Sequence, residues 1–137
     1  MKSTGDKLVF IVDDDPDDRQ IILEAFLENK YLGDYSFIET GDELVENLED
    51  PSEPFPSLIL LDLNMPGIMG LEVLREIRRQ KKYSHIPIVI LTTSSLHMDR
   101  RSALESGANC FLRKPDSFPS LVMLADAILK LWLIEYR

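Results

Sequence analysis

The sequence predicts an α/β domain, a doubly wound parallel sheet of five strands with helices on both faces. Three observations carry that prediction. Short apolar runs alternate with longer segments whose apolar residues recur at helical spacing, the rhythm of parallel strands joined by crossover helices. The run Leu58, Ile59, Leu60, Leu61 is apolar at every position, as a strand buried on both faces must be. The runs also end in chemically distinctive residues: Asp13 and Asp14 after the first, Asp62 after the third, Thr92 after the fourth and Lys114 after the fifth.

In chain order, Leu8 to Val12 is the first strand. Asp15 is placed to cap a helix whose first position is Pro16, with Asp17 and Asp18 favourable at the positive end of its dipole. Ile22, Ala25, Phe26 and Asn29 share one side of that helix. Tyr35 to Glu39 reads as a second, weaker strand, and Gly41 with Asp42 opens a helix over Glu43 to Leu48. Asp50 to Pro56 holds three prolines and is an irregular connection. Beyond the Asp62 strand, Leu71, Leu74 and Ile77 define a helix with Arg75, Glu76, Arg78 and Arg79 outside and the basic Arg78 to Lys82 in its last turn. Ile86 to Leu91 is the fourth strand and Met98 to Glu105 the fourth helix, closed by Gly107. Cys110 to Leu112 is the fifth strand, and Ser117 or Ser120 starts a last helix that runs through Tyr136.

A chain of 137 residues supports one domain, here 1–137. The net charge of −9 disfavours direct contact with nucleic acid or an anionic membrane, since both would repel it. Cys110 is the single cysteine, which excludes an internal disulfide and a Cys-rich metal site; beside Phe111 it reads as a small core residue. Met1 to Lys7 lacks an apolar signal region and no run reaches the length of a membrane span, so a cytoplasmic location is expected. His85 and His97 lack ligand spacing and read as surface residues.

All parallel strands deliver their last residues to one edge of the sheet, where loops and helix N-termini converge. Singly, each of these residues has an ordinary explanation: a capping or solvated aspartate, a strand-ending threonine, a surface lysine. Together they bring Asp13, Asp14 and Asp62 to one place, where three carboxylates repel and a hard divalent cation with oxygen ligands, such as Mg²⁺, compensates. Lys114 adds a cation and Thr92 a hydroxyl donor. Such a constellation suits phosphoryl transfer, with Asp62 as nucleophile.

Val12-Asp13-Asp14-Asp15-Pro16, Leu61-Asp62-Leu63-Asn64-Met65-Pro66-Gly67 with Gly70, Leu91-Thr92-Thr93 and Phe111-Leu112-Arg113-Lys114-Pro115, in this order over nearly the whole chain, resemble a response-regulator receiver domain of two-component signalling, of the stand-alone type. The resemblance implies a flavodoxin-like sheet of strand order 2-1-3-4-5. It implies that Asp62 accepts a phosphoryl group from a histidine kinase or phosphotransfer protein, and that Asp13, Asp14, Asp62 and the main-chain carbonyl of Asn64 hold Mg²⁺ or Mn²⁺. Lys114 pairs with the acyl phosphate, Thr92 and Phe111 form the switch, and Lys114–Pro115 is a cis peptide. The signal then leaves through the face of helix four, strand five and helix five to a downstream protein, and the only chemistry catalysed is the domain's own phosphorylation and slow dephosphorylation. Met69 departs from the family pattern, which often has an acid there; Asn64 and Ser94 occupy its variable positions for tuning hydrolysis.

The competing enzyme class is a Mg²⁺-dependent phosphatase of the haloacid-dehalogenase type. There the nucleophilic Asp follows the first strand, with a second Asp two residues on; here the acid pair comes first and Asn64 stands in the second place. A nucleotide-binding fold lacks a phosphate loop among the six glycines. The last helix is more apolar than one core face requires. Leu121, Leu124, Ala125, Ile128 and Trp132 suffice to cover the sheet, which turns Val122, Leu129, Leu133 and Tyr136 outward, an arrangement expected to form a homodimer contact with the neighbouring helix four and strand five.

Overall fold

Five parallel strands in the order β2-β1-β3-β4-β5 form the sheet in the computed structural model, which describes residues 7–64, 70–93 and 97–133. They are β1 (Leu8–Val12), β2 (Asp34–Ile38), β3 (Leu58–Leu61), β4 (Ile88–Thr92) and β5 (Cys110–Arg113). The helices between and after them are α1 (Pro16–Glu28), α2 (Gly41–Glu49), α3 (Gly70–Arg78), α4 (His97–Glu105) and α5 (Phe118–Ile128). Alternation along each strand divides the core into two layers. Phe10, Val12, Ile59, Leu61, Ile88 and Ile90 face α2, α3 and α4, while Val9, Ile11, Leu58, Leu60, Val89 and Leu91 face α1 and α5. Every residue of β1, β3 and β4 is buried, as expected of central strands covered on both sides.

Local chemistry explains the helix starts. Asp15 accepts from the Asp17 amide at the head of α1, with Pro16 at the first helical position. Thr40, which sequence reading passed over in favour of Gly41 and Asp42, caps α2 by accepting from the Glu43 amide at 3.1 Å. Ser117 caps α5, accepting from the Ser120 amide at 3.2 Å. Gly107, at a φ of 112°, ends α4, and a Cβ on it would come within 2.5 Å of Arg78 Cγ.

Several expectations require correction. The third helix stops at Arg78, and Lys81–Tyr83 forms a separate 3₁₀ turn, so Lys82 is not in its last turn. Arg78 does not point outward. Its Nε donates to the Gly107 carbonyl (2.9 Å), Nη1 to the Tyr83 carbonyl (2.9 Å), and Nη2 to the Ile86 carbonyl (2.8 Å) and Asn109 Oδ1 (2.9 Å). These acceptors hold Ile86 outside β4, whose ladder begins at Ile88. The Lys114–Pro115 bond is trans: no cis peptide occurs among the described residues, and an X–Pro bond favours trans by roughly 0.5–1 kcal/mol unless its surroundings select otherwise.

The last helix also differs. It passes at Leu129–Leu133 into a π turn. A turn closed at i→i+5 takes an extra residue, which moves the inward position from Trp132 to Leu133. The neighbouring α1 supplies a second wall, so Leu129 and Leu133 are both buried and the outward stripe predicted for them does not exist. Met123 and Leu131, at 74% and 68%, are the most exposed large apolar residues among those described in this segment, with Phe118 exposed at its start. Asn29, the residue that caps the end of α1, ties the two helices together by donating to the carbonyls of Ala25 (3.0 Å) and Val122 (2.9 Å). Tyr136 lies outside the described residues, as do Met69 and Ser94 and the side chain of His97. His85 is exposed and packs on Phe55, and Cys110 is half-buried against the α1–α5 layer. Among the described residues no helix is long and apolar enough to cross a membrane.

Candidate functional site

The carboxyl ends of β1, β3, β4 and β5 meet as the strand pattern predicts. Register does the assembling: Val12 pairs with Leu61 and Leu61 with Ile90, so Asp13 and Asp62 follow in one row, with Thr92 one residue and Lys114 two residues beyond it on β4 and β5. Backbone bonds extend that row past the ladders, from the Asp13 amide to the Ile38 carbonyl, the Asp62 amide to the Val12 carbonyl (both 3.0 Å) and the Lys114 amide to the Thr92 carbonyl (2.7 Å).

Asp13, Asp14 and Asp62 bring one carboxylate oxygen each within 4.8 Å of one another. Asp13 and Asp62 are buried, at 2% and 7% exposure, and Asp14 is open to solvent. Lys114 is their counter-ion. Its Nζ lies 2.7 Å from Asp13 Oδ2 and 3.6 Å from Asp62 Oδ2. It also lies 2.9 Å from Asp18 Oδ2. Burial raises the Asp13 carboxyl above its ordinary value, against the opposing bonds from Lys114 and the Asp15 amide. For Lys114, burial would lower the pKa, but the bonds to Asp13 and Asp18 and the charge of Asp62 outweigh it and hold the ammonium above the ordinary lysine value. Two buried carboxylates and a third nearby thus share one ammonium, which leaves net negative charge in an all-oxygen donor set. That set fits a hard divalent cation.

Around the acids, each support has a visible cause. The Asn64 amide donates to Asp62 Oδ1 at 3.2 Å, and Asn64 Nδ2 makes a longer bond to Thr92 Oγ1 at 3.4 Å. Thr92 is fully buried. Gly70 lets α3 start against the Asp62–Leu63 backbone: a Cβ there would come within 2.7 Å of Leu63 Cα and 2.9 Å of the Asp62 carbonyl oxygen. Phe111 is already buried, at 7% exposure, in the layer that also holds Ala103 of α4. Pro115 lines a groove of about 300 Å³ beside Lys114, with Asp18, Ile21, Phe118 and Leu121.

Two residues were missed in the sequence. Asp18 reads there as a dipole-compensating acid of the first helical turn, but because α1 starts at this same edge its side chain reaches Lys114. Arg19 donates from Nη1 to the Asp13 carbonyl at 2.7 Å, its guanidinium 5.5 Å from the centre of the Phe37 ring, and so secures the backbone between the paired acids. The available signal was the start of a helix directly after the acid pair.

A family model of the response regulator receiver domain matches residues 9–126. The chain belongs to that family. It is 32% identical over 129 residues to the probable methanogenesis regulatory protein FilR2 of Methanothrix harundinacea (strain 6Ac), covering 92% of this chain and 83% of the relative. It is 31% identical over 136 residues to the response regulator Rcp1 of Synechocystis sp., covering 96% and 92%. Among solved structures, the Mn(2+)-bound form of Rcp1 has 30% identity and a TM-score of 0.84. The phosphorylated cyanobacterial phytochrome response regulator RcpA has 30% identity and a TM-score of 0.88. Each match covers 96% of this chain and 97% of the other. The protein is therefore a phospho-accepting response regulator, a receiver-type signalling switch, and the haloacid-dehalogenase reading is set aside. Divalent-metal binding fits both the acidic cluster and the metal-bound relative.

Proposed function

We propose that Asp62 is the phosphoryl acceptor of this receiver. The observation that carries the reading is a buried carboxylate within 3.6 Å of the Lys114 ammonium and beside two further acids, since it joins a nucleophile to the charges that a phosphoryl group requires. An Asp62 oxygen attacks the phosphorus of a phosphohistidine; the P–N bond breaks, its electron pair goes to the imidazole nitrogen, and that nitrogen takes up a proton. Asp13, Asp14, Asp62 and the Asn64 main-chain carbonyl would hold Mg²⁺, or Mn²⁺ in its place. The bound cation supplies neutralisation of the clustered negative charge. Lys114 moves from its aspartate partners to a phosphoryl oxygen, and the Thr92 hydroxyl turns to donate to another. Thr92 lies next to the packed Phe111 layer, so this movement is passed toward α4 and the α4–β5–α5 face.

The donor is a histidine kinase or phosphotransfer protein. The groove flanked by the exposed Ile21 and Phe118 opens beside Lys114 and suits its docking surface, because a donor imidazole must reach Asp62 from solvent. The output is a downstream protein in the cytoplasm, bound by residues 1–137 acting as a single domain; the catalysis is limited to the domain's own phosphorylation and slow dephosphorylation. A homodimer through the α4–β5–α5 face rests on Met123 and Leu131 rather than on Leu129 and Leu133. Sedimentation would show a monomer both with and without a phosphoryl mimic if that contact is wrong.

Intact-mass measurement after incubation with acetyl phosphate and Mg²⁺ tests the acceptor. One labile phosphoryl group is expected on the wild type and none on Asp62→Asn, whose amide is a poor nucleophile. A phosphoryl group retained by Asp62→Asn would move the site elsewhere.

A further inference from the structure

Lys114 has two short ion pairs, and the second of them is not explained by the acceptor site. Asp18 stands outside the group of three carboxylates whose oxygens lie within 4.8 Å of one another, so it does not share their cation-binding role. Its Oδ2 nevertheless lies closer to Lys114 Nζ than Asp62 does, 2.9 Å against 3.6 Å. The pair is anchored at both ends. Asp18 sits in the first turn of α1, fixed by the Asp15 cap, and Lys114 follows directly from β5, its amide bonded to the Thr92 carbonyl.

We propose that Asp18 is a positioning residue that holds Lys114 back from Asp62 and thereby restrains phosphorylation. The proposal rests on the assignment of Asp62 as acceptor. An ammonium has three N–H donors, and in this structure two are spent on Asp13 and Asp18 at full hydrogen-bond distance. One donor remains for Asp62, whose Oδ2 lies 3.6 Å away, so closing on a phosphoryl oxygen there stretches the two bonds already made. Charge neutralisation at the acid cluster loosens its hold through Asp13. The pair with Asp18 persists, because Asp18 has no place in that cluster. The side chain of Asp18 is 39% exposed, so the restraint is modest and readily broken, as suits a switch, rather than a lock.

The test compares phosphorylation rates by intact mass, with acetyl phosphate and saturating Mg²⁺, for wild type, Asp18→Asn, Asp18→Glu and Asp17→Asn. Asp17 carries the same charge one residue away, is exposed, and makes no ion pair with Lys114 among those described, so it controls for the loss of a negative charge near an anionic donor. Asp18→Asn should phosphorylate roughly three- to fivefold faster than Asp17→Asn, the range a partly exposed ion pair supports. Asp18→Glu, which keeps a carboxylate within reach, should return toward the wild-type rate. In a Lys114→Ala background the difference between Asp18→Asn and Asp17→Asn should vanish. Equal rates for Asp18→Asn and Asp17→Asn, a slower rate for Asp18→Asn, or an advantage that survives without Lys114 would each overturn the proposal. Absence of label on the wild type would instead overturn the Asp62 assignment beneath it.

Discussion

The two edges of the sheet each hold a partly buried cation and use it in opposite ways. At the amino edge, the Arg78 guanidinium is held by three main-chain carbonyls and the Asn109 amide oxygen, all neutral and all fixed by backbone. At the carboxyl edge, Lys114 is held by the carboxylates of Asp13 and Asp18, with that of Asp62 nearby. Burial consequently lowers the pKa of Arg78, with no carboxylate to oppose it, whereas that of Lys114 is raised because carboxylates outweigh burial. Neutral carbonyls in a rigid fork give a fixed joint between α3, the start of β4 and the loop before β5. Charged side chains competing for one ammonium give a joint that a change of charge can rearrange. The contrast explains how one small domain combines a stable frame with a switchable site.

The largest expected effect lies at the fixed edge. Arg78→Ala would take the Arg78 donor from the part-buried Gly107 and Ile86 carbonyls, while the Tyr83 carbonyl and Asn109 Oδ1 keep the Ile86 and Ile88 amides, and should cost about 3 kcal/mol in denaturant unfolding, with phosphorylation by small donors retained. Arg78→Lys should not restore the loss, since an ammonium cannot span a planar fork of acceptors. The adjacent Arg75, whose Nε reaches Ser106 Oγ at the exposed surface, provides the contrast: Arg75→Ala should change stability by less than about 0.5 kcal/mol. Loss of phosphorylation in Arg78→Ala at a temperature where it remains folded would break the separation of the two edges.

A smaller effect of opposite sign is expected at the switchable edge. Because burial raises the Asp13 pKa, the protonated form is favoured in the folded state, and the stability it confers at low pH is lost as pH rises through the folded value. Ionised Asp13 therefore weakens the metal-free protein at neutral pH. Asp13→Asn should raise its melting temperature there and abolish the further rise that Mg²⁺ gives the wild type. The raised Lys114 pKa has the same sign, but its window lies at high pH, so at neutral pH it stabilises. Its contribution is fully present below the ordinary lysine value of 10.5 and is lost only as pH climbs through the raised folded value. A melting temperature lowered by Asp13→Asn at neutral pH would show that the Lys114 pair, not burial, dominates the energetics of Asp13.

Much of the site was legible from one signal, namely polar residues of defined chemistry at the ends of apolar runs. A parallel sheet sends every strand end to the same edge, so the order of runs in the chain was enough to associate Asp13, Asp14, Asp62, Thr92 and Lys114. Asp18 escaped that logic because it lies inside a helix, where an acid in the first turn already has a reason to be present. Its contact with Lys114 depends on how α1 leaves the sheet. Arg78 escaped for a related reason. Helical spacing assigned it an outward direction, whereas a long side chain at a helix end can fold back onto carbonyls contributed by two other loops.

The sequence alone determined the strand order's raw material, the identity of the acid cluster and the cap at Asp15, and narrowed the start of the last helix to Ser117 or Ser120, because these depend on local pattern and on residues adjacent in the chain. Tertiary structure decided the burial of Leu129 and Leu133, the Arg78 joint and the partner of Asp18. Each of these turns on a distance between segments far apart in sequence, or on a helical phase changed by the π turn at Leu129–Leu133. No periodicity within one segment records such a quantity, since it is set when α1, α5 and the two sheet edges pack against one another.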